Sequence, residues 1–595
     1  MSNQINCKRN FSLIFFKING INKVEKLYTL NFYMSELSIN DKKWVVLNDN
    51  PTLTILEKIL NNRQIIEPED VEKFLNPNFN KLHDPYLMDN MDQAVSRIEK
   101  AIESQERIII FGDYDVDGVT GTAILVLGLE KLGAKVSYRL PNRTEDGYGL
   151  NQSIIEEIAS TKTTLLITVD TGISCLDEIQ YARDLGVDVI VTDHHSIPPQ
   201  TPNANVILHP KLKNSSYPFA ELTGAGVALK LLQALFKHFL PLEEQEDALK
   251  EFIDLASLGT IADLGPLQDE NRVIVSQGLK KLENSKWDGL NHLLEICHID
   301  PTQEIEANHV GFRIAPRINA AGRLDSPYYA LKLFLSEGIK SKKFAEKLEK
   351  INKERQRLTE EILVEAEQII KKQLPKEKIL IAYHPNWKSG LVGIIAGKIS
   401  HNYSMPVIIM EERNDHYIGS ARGPEYFNLV EALSSCEKYL LNFGGHIQAA
   451  GFTLPKENLQ HFIHSIQVHA REFLKETDTV PTIEIDSHLD AKHIDQALIN
   501  QLNKLRPFGQ KNPRPTFLIK GAYLKDIKKV GQDRNHLLGN VRIDNLEFNF
   551  IAFKLAEKLK NISDFDRYDI VFHLGTNTYK GVTHTQLQIV DLKPA

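Results

Sequence analysis

Gly112-Asp113-Tyr114-Asp115-Val116-Asp117-Gly118 stands directly behind an apolar, β-rich run at 107–111. Such a run, followed by alternating carboxylates bounded by glycine, marks the end of a buried strand and the entry to a helix. Two further segments repeat the arrangement: Val169-Asp170-Thr171-Gly172 behind 165–169, and Asp193-His194-His195 behind 187–192. The intervening pattern predicts helices at 89–104, 119–132, 152–159 and 176–185 and a fourth strand at 135–139. Alternation of this kind builds a parallel, doubly wound sheet. The carboxyl ends of its strands line the crevice where open α/β folds bind ligands. Four aspartates gathered there, Asp113, Asp115, Asp117 and Asp170, repel one another. The arrangement needs cations, and two divalent ions are the usual answer.

The Asp-x-Asp-x-Asp-Gly order is also that of a calcium loop. The glutamate such a loop needs six residues after its glycine is absent, because Ile124 stands there. A loop leading from a buried strand into a helix suits phosphate and metal chemistry better. Asp170 has two oxygens with which to bridge a pair of ions, and His194 offers a ring nitrogen. Mixed imidazole and carboxylate ligation suits Mn²⁺, with Mg²⁺ tolerated as carboxylates increase. Asp263, in Gly259-Thr260-Ile261-Ala262-Asp263-Leu264-Gly265 at the end of an apolar helix, is placed to close the site. Taken singly, a strand-end aspartate caps the next helix and a histidine pair is surface or core. Three such strand ends together are much harder to explain as structure alone.

Helical patterns continue at 226–239 and 247–261. Residues 340–373 read as one long, highly charged helix with a narrow seam of Phe344, Leu348, Ile351, Leu358, Ile362 and Ile369, a stiff connector between lobes. A second α/β unit runs from 378 to about 475, with strands expected at 379–382, 407–410, 417–421 and 451–454. Pro-rich punctuation at 506–515 opens a last module with short strands at 516–519, 541–543, 547–553, 569–574 and 586–590, the pattern of a small β-barrel. The division expected is 1–33, a disordered extension or mis-called start; 34–106, a helical lead-in; 107–339, the catalytic domain; 340–373, the connector; 374–476, the second lobe; and 477–595, the barrel. The fold class is therefore α/β, two α/β lobes joined by a long helix, plus a C-terminal barrel.

The 595 residues suit about three or four domains. A hydrophobic fraction of 42% is ample for packed cores. Cys7, Cys175, Cys297 and Cys436 are widely spaced with no CxxC pair, which excludes a zinc ribbon or disulfide framework and fits a reducing cytoplasm. No apolar run reaches the roughly 18–20 residues of a membrane span. Residues 501–595 carry 16 Lys and Arg against 9 Asp and Glu, so this end is basic while the chain as a whole is at −8. A basic module on an acidic body fits a polyanionic partner, and Lys525, Lys528 and Lys529 are its candidate phosphate contacts.

These segments resemble the DHH phosphoesterase superfamily, named for the motif present here as Asp193-His194-His195. Gly112–Gly118 is similar to its first motif, Asp170-Thr171-Gly172 to its second, and Gly224-Ala225-Gly226-Val227-Ala228 with Ile261-Ala262-Asp263 to its fourth-motif region. Arg317-Ile318-Asn319-Ala320-Ala321-Gly322-Arg323-Leu324 is a further signature. Ser420-Ala421-Arg422-Gly423 and Gly444-Gly445-His446 resemble the DHH-associated domain. Pro507-Phe508-Gly509 with Asn512-Pro513 resembles the entry to a C-terminal OB fold. Together they resemble the superfamily's single-strand-specific 5′-to-3′ DNA exonucleases of repair and recombination, over roughly residues 40–595.

The resemblance implies a metal shell of Asp113, Asp115, Asp117, Asp170, His194 and Asp263 holding two Mn²⁺ or Mg²⁺. His195, with Asp193, would be the catalytic pair facing the scissile phosphate. Arg143, Arg317, Arg323, Ser420, Arg422, Gly444, Gly445 and His446 would hold substrate, with Arg143 at the 5′ end. An arginine fork grips phosphate in a way lysine cannot copy, and paired glycines admit an anion to backbone amides. Taken alone, Arg317 reads equally as one half of a surface ion pair. Two departures stand out. Phe111 occupies a place where some members supply a histidine ligand, and Lys511 a place where relatives often have glycine. The partners implied are single-stranded DNA, a single-strand-binding protein and a helicase, with no membrane, and the protein is expected to be a monomer. The alternatives are a DHH phosphodiesterase for short oligonucleotides or cyclic dinucleotides, against which the long terminal extension argues, and a catalytically dead scaffold, against which the complete carboxylate set argues. A pyrophosphatase on this fold would be much shorter.

Overall fold

Five strands, Lys135–Arg139, Arg107–Gly112, Leu165–Val169, Asp188–Thr192 and Val206–Leu208, lie side by side in that order, and every neighbouring pair is parallel. The chain lays its second strand on one side of Arg107–Gly112 and its third on the other. The order therefore reverses between Arg107–Gly112 and Leu165–Val169, the position where a doubly wound sheet opens its binding crevice. The computed structural model describes residues 37–143, 146–147, 149–213, 215–474, 481–559, 566–579 and 582–595. The extension read over 1–33, with Cys7, lies outside the described residues.

The Leu165–Val169 strand is buried along its whole length, as a central parallel strand must be when helices cover both faces. Helix Val116–Lys131 is apolar on nearly every side and packs between the sheet and helices Gly224–Phe239 and Ile253–Ala262. Gly121 permits the approach, since a Cβ there would lie 2.6 Å from Val169 and 3.2 Å from the Ala225 Cα. The helix expected over 247–261 is two helices, Leu242–Lys250 and Ile253–Ala262. The first is amphipathic and mostly exposed and the second is buried all round, so the chain turns inward between them. On the sheet's other face Phe111 is fully buried with Leu150, Ile154, Ile155 and Leu166. The Phe111 position is thus core.

Helix Gly338–Ile370 follows. Ala345 and Leu348 belong to the core of the first lobe, and Ile362, Ala366 and Ile370 to that of the second. The seam expected of a connector is consumed within the chain. The second lobe's sheet runs Asn442–His446, Ala449–Pro455, His416–Arg422, Val407–Glu412, Leu380–His384, antiparallel except for its last pair. The strand Asn442–His446 was not expected. Its two glycines read as an anion-binding loop, and only cross-strand pairing reveals the hairpin.

The molecule divides into two compact units. Of the described residues, the larger holds those from 50 to 474 and 494–515, the smaller 37–49, 481–493 and those from 516 to 595. In the smaller, Phe517–Val530, His536–Ile543, Leu546–Ala552, Val582–Pro594 and Arg567–Tyr579 pair in sequence, and Phe517–Val530 also pairs with Arg567–Tyr579, closing a five-strand barrel around Phe517, Phe550 and Phe572. Two boundaries differ from those expected. Residues 43–46 are not part of a helical lead-in. They form strand Lys43–Val46, parallel to Thr482–Ile485, and Trp44 donates its indole N–H to the buried Asp591 at 3.0 Å. Residues 494–515 belong with the larger unit rather than the barrel. The buried Arg272 guanidinium donates to the carbonyls of Phe74, Lys504, Arg506 and Pro507, and the Leu267 amide donates to the Gln510 carbonyl. Lys511 has φ +59, the left-handed conformation glycine adopts most cheaply. Among the described residues no helix is long and apolar enough to cross a membrane.

Candidate active site

The Asp113 amide donates to the Val169 carbonyl at 3.2 Å, and the Asp170 amide to the Thr192 carbonyl at 3.0 Å. These bonds stitch the three strand ends together just beyond the sheet. Asp170 adopts φ +60, a conformation aspartate tolerates better than most residues. Gly224 makes room for it, since a Cβ on Gly224 would sit 2.4 Å from the Asp170 Cβ.

Backbone amides orient Asp115, Asp117 and Asp193. Asp115 caps helix Val116–Lys131 by accepting from the Gly118 amide. Asp117 lies at the amino end of helix Gly224–Phe239, accepting from the Gly224 amide at 2.6 Å, the Ala225 amide at 3.0 Å and the Thr223 hydroxyl at 3.0 Å. Asp193 accepts from the amides of Ile173, His194 and His195.

The result is a shared pocket. His194 Nε2 is 3.0 Å from Asp170 Oδ1, 3.6 Å from Asp263 Oδ2 and 3.8 Å from Asp117 Oδ2. Three triads of ligand-type atoms, Asp113/Asp115/Asp170, Asp117/His194/Asp263 and Asp170/His194/His195, each fall within 4.8 Å of one another. All six residues expected to form a metal shell are therefore together, with His195 beside them.

The electrostatics follow from burial and crowding. Burial, reinforced by Asp115, pushes Asp113 up to about 8 and Asp117 up to about 6. Asp170 rises well above the carboxylate range through burial and the charges of Asp117, Asp115 and Asp113. Asp263, at the mouth, is raised by burial and by Asp117. The two histidines part ways. Burial and the neighbouring His195 charge hold His194 down at about 3, so it is neutral. Burial also opposes charge on His195, but the Asp193 carboxylate, 2.7 Å from its Nδ1, outweighs it and raises His195 to about 9. The same contact overcomes burial at Asp193 and holds it near 2.

Substrate-binding expectations divide. Arg143 lies over the Tyr114 ring at 5.4 Å, and its charge bears on both Arg323 and Arg422. Burial, with Arg143, lowers Arg323 to about 10 and also lowers Arg422. Arg323 donates to the Gly390 carbonyl and Arg422 to the Ala421 carbonyl, and among the described residues no carboxylate salt bridge holds any of the three. Three guanidiniums crowded without an anion are suited to take one. A Cβ on Gly393 would lie 3.0 Å from Arg422 Nη2 and 3.3 Å from Ser420 Oγ, so that glycine leaves both side chains their space. The sheet register relates the remaining positions: Arg422 pairs with Ala449, which pairs with His446, and Ser420 pairs with Gly451, which pairs with Gly444. Gly445, with φ +147, forms the adjacent row with Ala450. Arg317 stands apart, held by Glu349 at 2.6 Å and the Arg313 carbonyl at 2.6 Å. The ion-pair reading weighed for it is the one observed.

Sequence reasoning missed three supports. Thr223 orients Asp117, Asn319 accepts from the Val116 amide of the carboxylate loop, and Lys211 Nζ donates to the His194 carbonyl. Asn319 lay inside a quoted motif and Thr223 directly before one. Lys211 carried none.

Known proteins share this arrangement. The DHH family, N-terminal domain, matches residues 107–260; the DHHA1 domain matches 376–472; and the RecJ OB domain matches 485–591. The chain is 36% identical over 540 residues to the single-stranded-DNA-specific exonuclease RecJ of Bacillus subtilis, covering 90% of this chain and 67% of that one. The chain belongs to the RecJ family. Crystal structures of Thermus thermophilus RecJ are similar as well. The Mn²⁺ complex superposes with a TM-score of 0.79 at 30% identity, covering 93% of this chain and 79% of that one. The Mg²⁺ complex gives 0.72 at 29%, covering 93% and 78%.

The residues present in this RecJ-family chain fit a metal pair on their own terms. Asp170 Oδ1 and His194 Nε2 are buried, face each other and have no hydrogen-bond partner among the described residues. A buried unpaired acceptor beside an unpaired imidazole nitrogen is costly in a finished protein unless a cation sits between them. The mixed donor set, carboxylates with one neutral imidazole, suits Mn²⁺ and Mg²⁺.

Proposed function

We propose that this protein is a single-stranded-DNA-specific exonuclease that hydrolyses phosphodiesters from the 5′ end and releases 5′-mononucleotides in DNA repair and recombination. The observation that carries the reading is the meeting of Asp170 and His194 at the carboxyl ends of the parallel strands, with both ligand atoms left unpaired among the described residues. Asp113, Asp115, Asp117, Asp170, His194 and Asp263 would hold two Mn²⁺ or Mg²⁺. When bound, such ions lower the pKa of a shared water and offset the charge gathering on the phosphate.

The protein's own residues do the rest. Asp193 keeps His195 protonated and aimed at the site, so the imidazolium donates to the phosphate oxygen as negative charge develops there. Arg143, Arg323 and Arg422, with Ser420 and the Gly444-Gly445-His446 strand end, hold phosphates of the strand. The 3′ oxygen leaves on the released mononucleotide, and the remaining strand keeps the new 5′-phosphate. A groove between the two lobes that admits one strand alone would exclude a duplex by width. The RecJ OB match extends over the module that enzymes for dinucleotides usually lack, which favours long strands over that alternative.

The protein would work as a monomer in the cytoplasm, on ends exposed by a helicase and covered by single-strand-binding protein. Cys175, Cys297 and Cys436 are free and buried, in keeping with a reducing compartment. Digestion of end-labelled single and double strands with Mn²⁺, Mg²⁺ or chelator tests the whole reading. Loss of 5′ label as mononucleotide from the single strand alone, only with metal, is expected. Release from the 3′ end, or equal attack on duplex, would refute it.

A further inference from the structure

Asp193-His194-His195 follows strand Asp188–Thr192 but lies in no helix or strand itself, so no ladder fixes its backbone. Its polar groups are held one by one. The amides of His194 and His195 both donate to the Asp193 carboxylate. The two carbonyls are taken by residues just past the neighbouring edge strand, Val206–Leu208. Lys211 Nζ donates to the His194 carbonyl at 3.0 Å, and His209 Nε2 lies 2.9 Å from the His195 carbonyl. The other ring nitrogen of His209 settles the direction of that second bond. Nδ1 accepts from the Lys211 amide at 3.0 Å and so carries no proton. The ring proton is therefore on Nε2, which donates it to His195.

The two carbonyl contacts differ in weight. The Lys211 side chain is 32% exposed, and water can stand in for it. His209 is completely buried, and a carbonyl that loses its donor there has no water to turn to. Closing the turn from His209 to Lys211 needs Nδ1 alone. The Nε2 bond does something else, since it reaches across to the next strand end. His195 is thereby gripped at two points, its ring through Asp193 at 2.7 Å from Nδ1 and its peptide through His209. Fixing both leaves the ring one direction in which to point.

We propose that His209 is a positioning residue for the reaction: from the edge strand it fixes the His195 peptide and so aims the His195 ring at the scissile phosphate. The proposal deepens the exonuclease reading and rests on it. His209 touches neither substrate nor metal ligands' donor atoms, so its effect passes through His195 and falls on the bond-breaking step rather than on binding.

The test separates the two ring contacts. Glutamine at this position sets an amide N–H where Nε2 stands and keeps the bond to His195, whereas asparagine sets an oxygen where Nδ1 stands and keeps the turn alone. On single-stranded DNA with Mn²⁺, His209→Asn should lower kcat about tenfold to a hundredfold, the cost of a misplacement on the order of 1 Å, with KM and Mn²⁺ affinity within about twofold. His209→Gln should recover most of that loss. In a His195→Ala background, His209→Asn should cost less than about twofold, because the residue it acts through is gone. In metal-free protein carrying carbon-labelled histidine, the His195 ring resonance should move in His209→Asn and hold in His209→Gln. Parental kcat in His209→Asn, equal losses in the two variants, or an undiminished cost in the His195→Ala background overturns the proposal. An unmoved His195 resonance in His209→Asn overturns it without any appeal to activity. A parent protein that leaves single strands intact overturns the exonuclease reading instead, and the two failures are thus told apart.

Discussion

Asp170 Oδ1 lies 3.0 Å from His194 Nε2 at the carboxyl ends of two neighbouring parallel strands, and among the described residues neither atom has a hydrogen-bond partner. Asp170 also carries the strongest like-charge crowding in the pocket, from Asp117, Asp115, Asp113 and Asp263. Function and stability therefore pull in opposite directions at this one carboxylate. Asp170→Asn keeps a residue type that accepts the left-handed backbone and removes the charge. Nuclease activity should fall by at least about 1,000-fold, as expected when several kcal/mol of metal-borne stabilisation is lost. In chelator the variant should melt higher than the parent, and added Mn²⁺ should no longer raise its melting temperature. A parent-like response to Mn²⁺ would remove Asp170 from the metal shell.

The raised carboxylates make metal-free stability depend on pH with a definite sign. Asp113, at about 8 when folded, keeps a proton that an unfolded aspartate releases near 4. The folded state thus binds more protons over that window, and stability of the metal-free protein falls as pH rises from about 4 to 8. Loading metal must expel those protons, so Mn²⁺ affinity climbs with pH and levels off near 8. Calorimetry in buffers of differing ionisation enthalpy reads the proton release directly. Affinity that is flat between pH 6 and 8 would contradict the assignment.

Arg422 and Ser420 share the space beside Gly393, with Arg143 close enough to depress Arg422. If they receive a terminal phosphate, Arg422→Lys should raise KM for a 5′-phosphorylated strand by about tenfold to a hundredfold, because a lysine cannot form the fork. A strand ending in a 5′-hydroxyl should be affected much less. Steady-state kinetics on the two substrates measure the difference, and equal losses on both would place Arg422 elsewhere along the strand.

Lys525, Lys528 and Lys529 lie on the long Phe517–Val530 strand of the barrel. Replacing all three with alanine should weaken binding to a long single strand. It should also make the slope of log affinity against log salt shallower by about 0.7 for each phosphate no longer neutralised. The single-turnover rate at saturating DNA should hold. An unchanged salt slope would clear these lysines of any role in gripping the strand.

The strand ends were legible in the sequence because two local signals coincide there, an apolar run and a cluster of carboxylates bounded by glycine. Five of the six residues expected in the metal shell stand at those ends, and the sixth, Asp263, was read from the end of an apolar helix. Asn442–His446 and Lys43–Val46 were not legible, since each is a strand only by virtue of a partner elsewhere in the chain. The placement of 494–515 depended on Arg272, a buried cation that no local pattern distinguishes from a surface one. Lys511 is a partial case: a glycine expected at that place is replaced by lysine, yet the backbone keeps the conformation glycine favours.

Helix Gly338–Ile370 is rooted in two cores at once, through Leu348 at one end and Ile362 at the other. A rod seated this way ties the packing of the two lobes together. On the exonuclease reading, the polymer presents its tip to the carboxylates. A closed circle of DNA offers no tip, and such a molecule would pass by uncut.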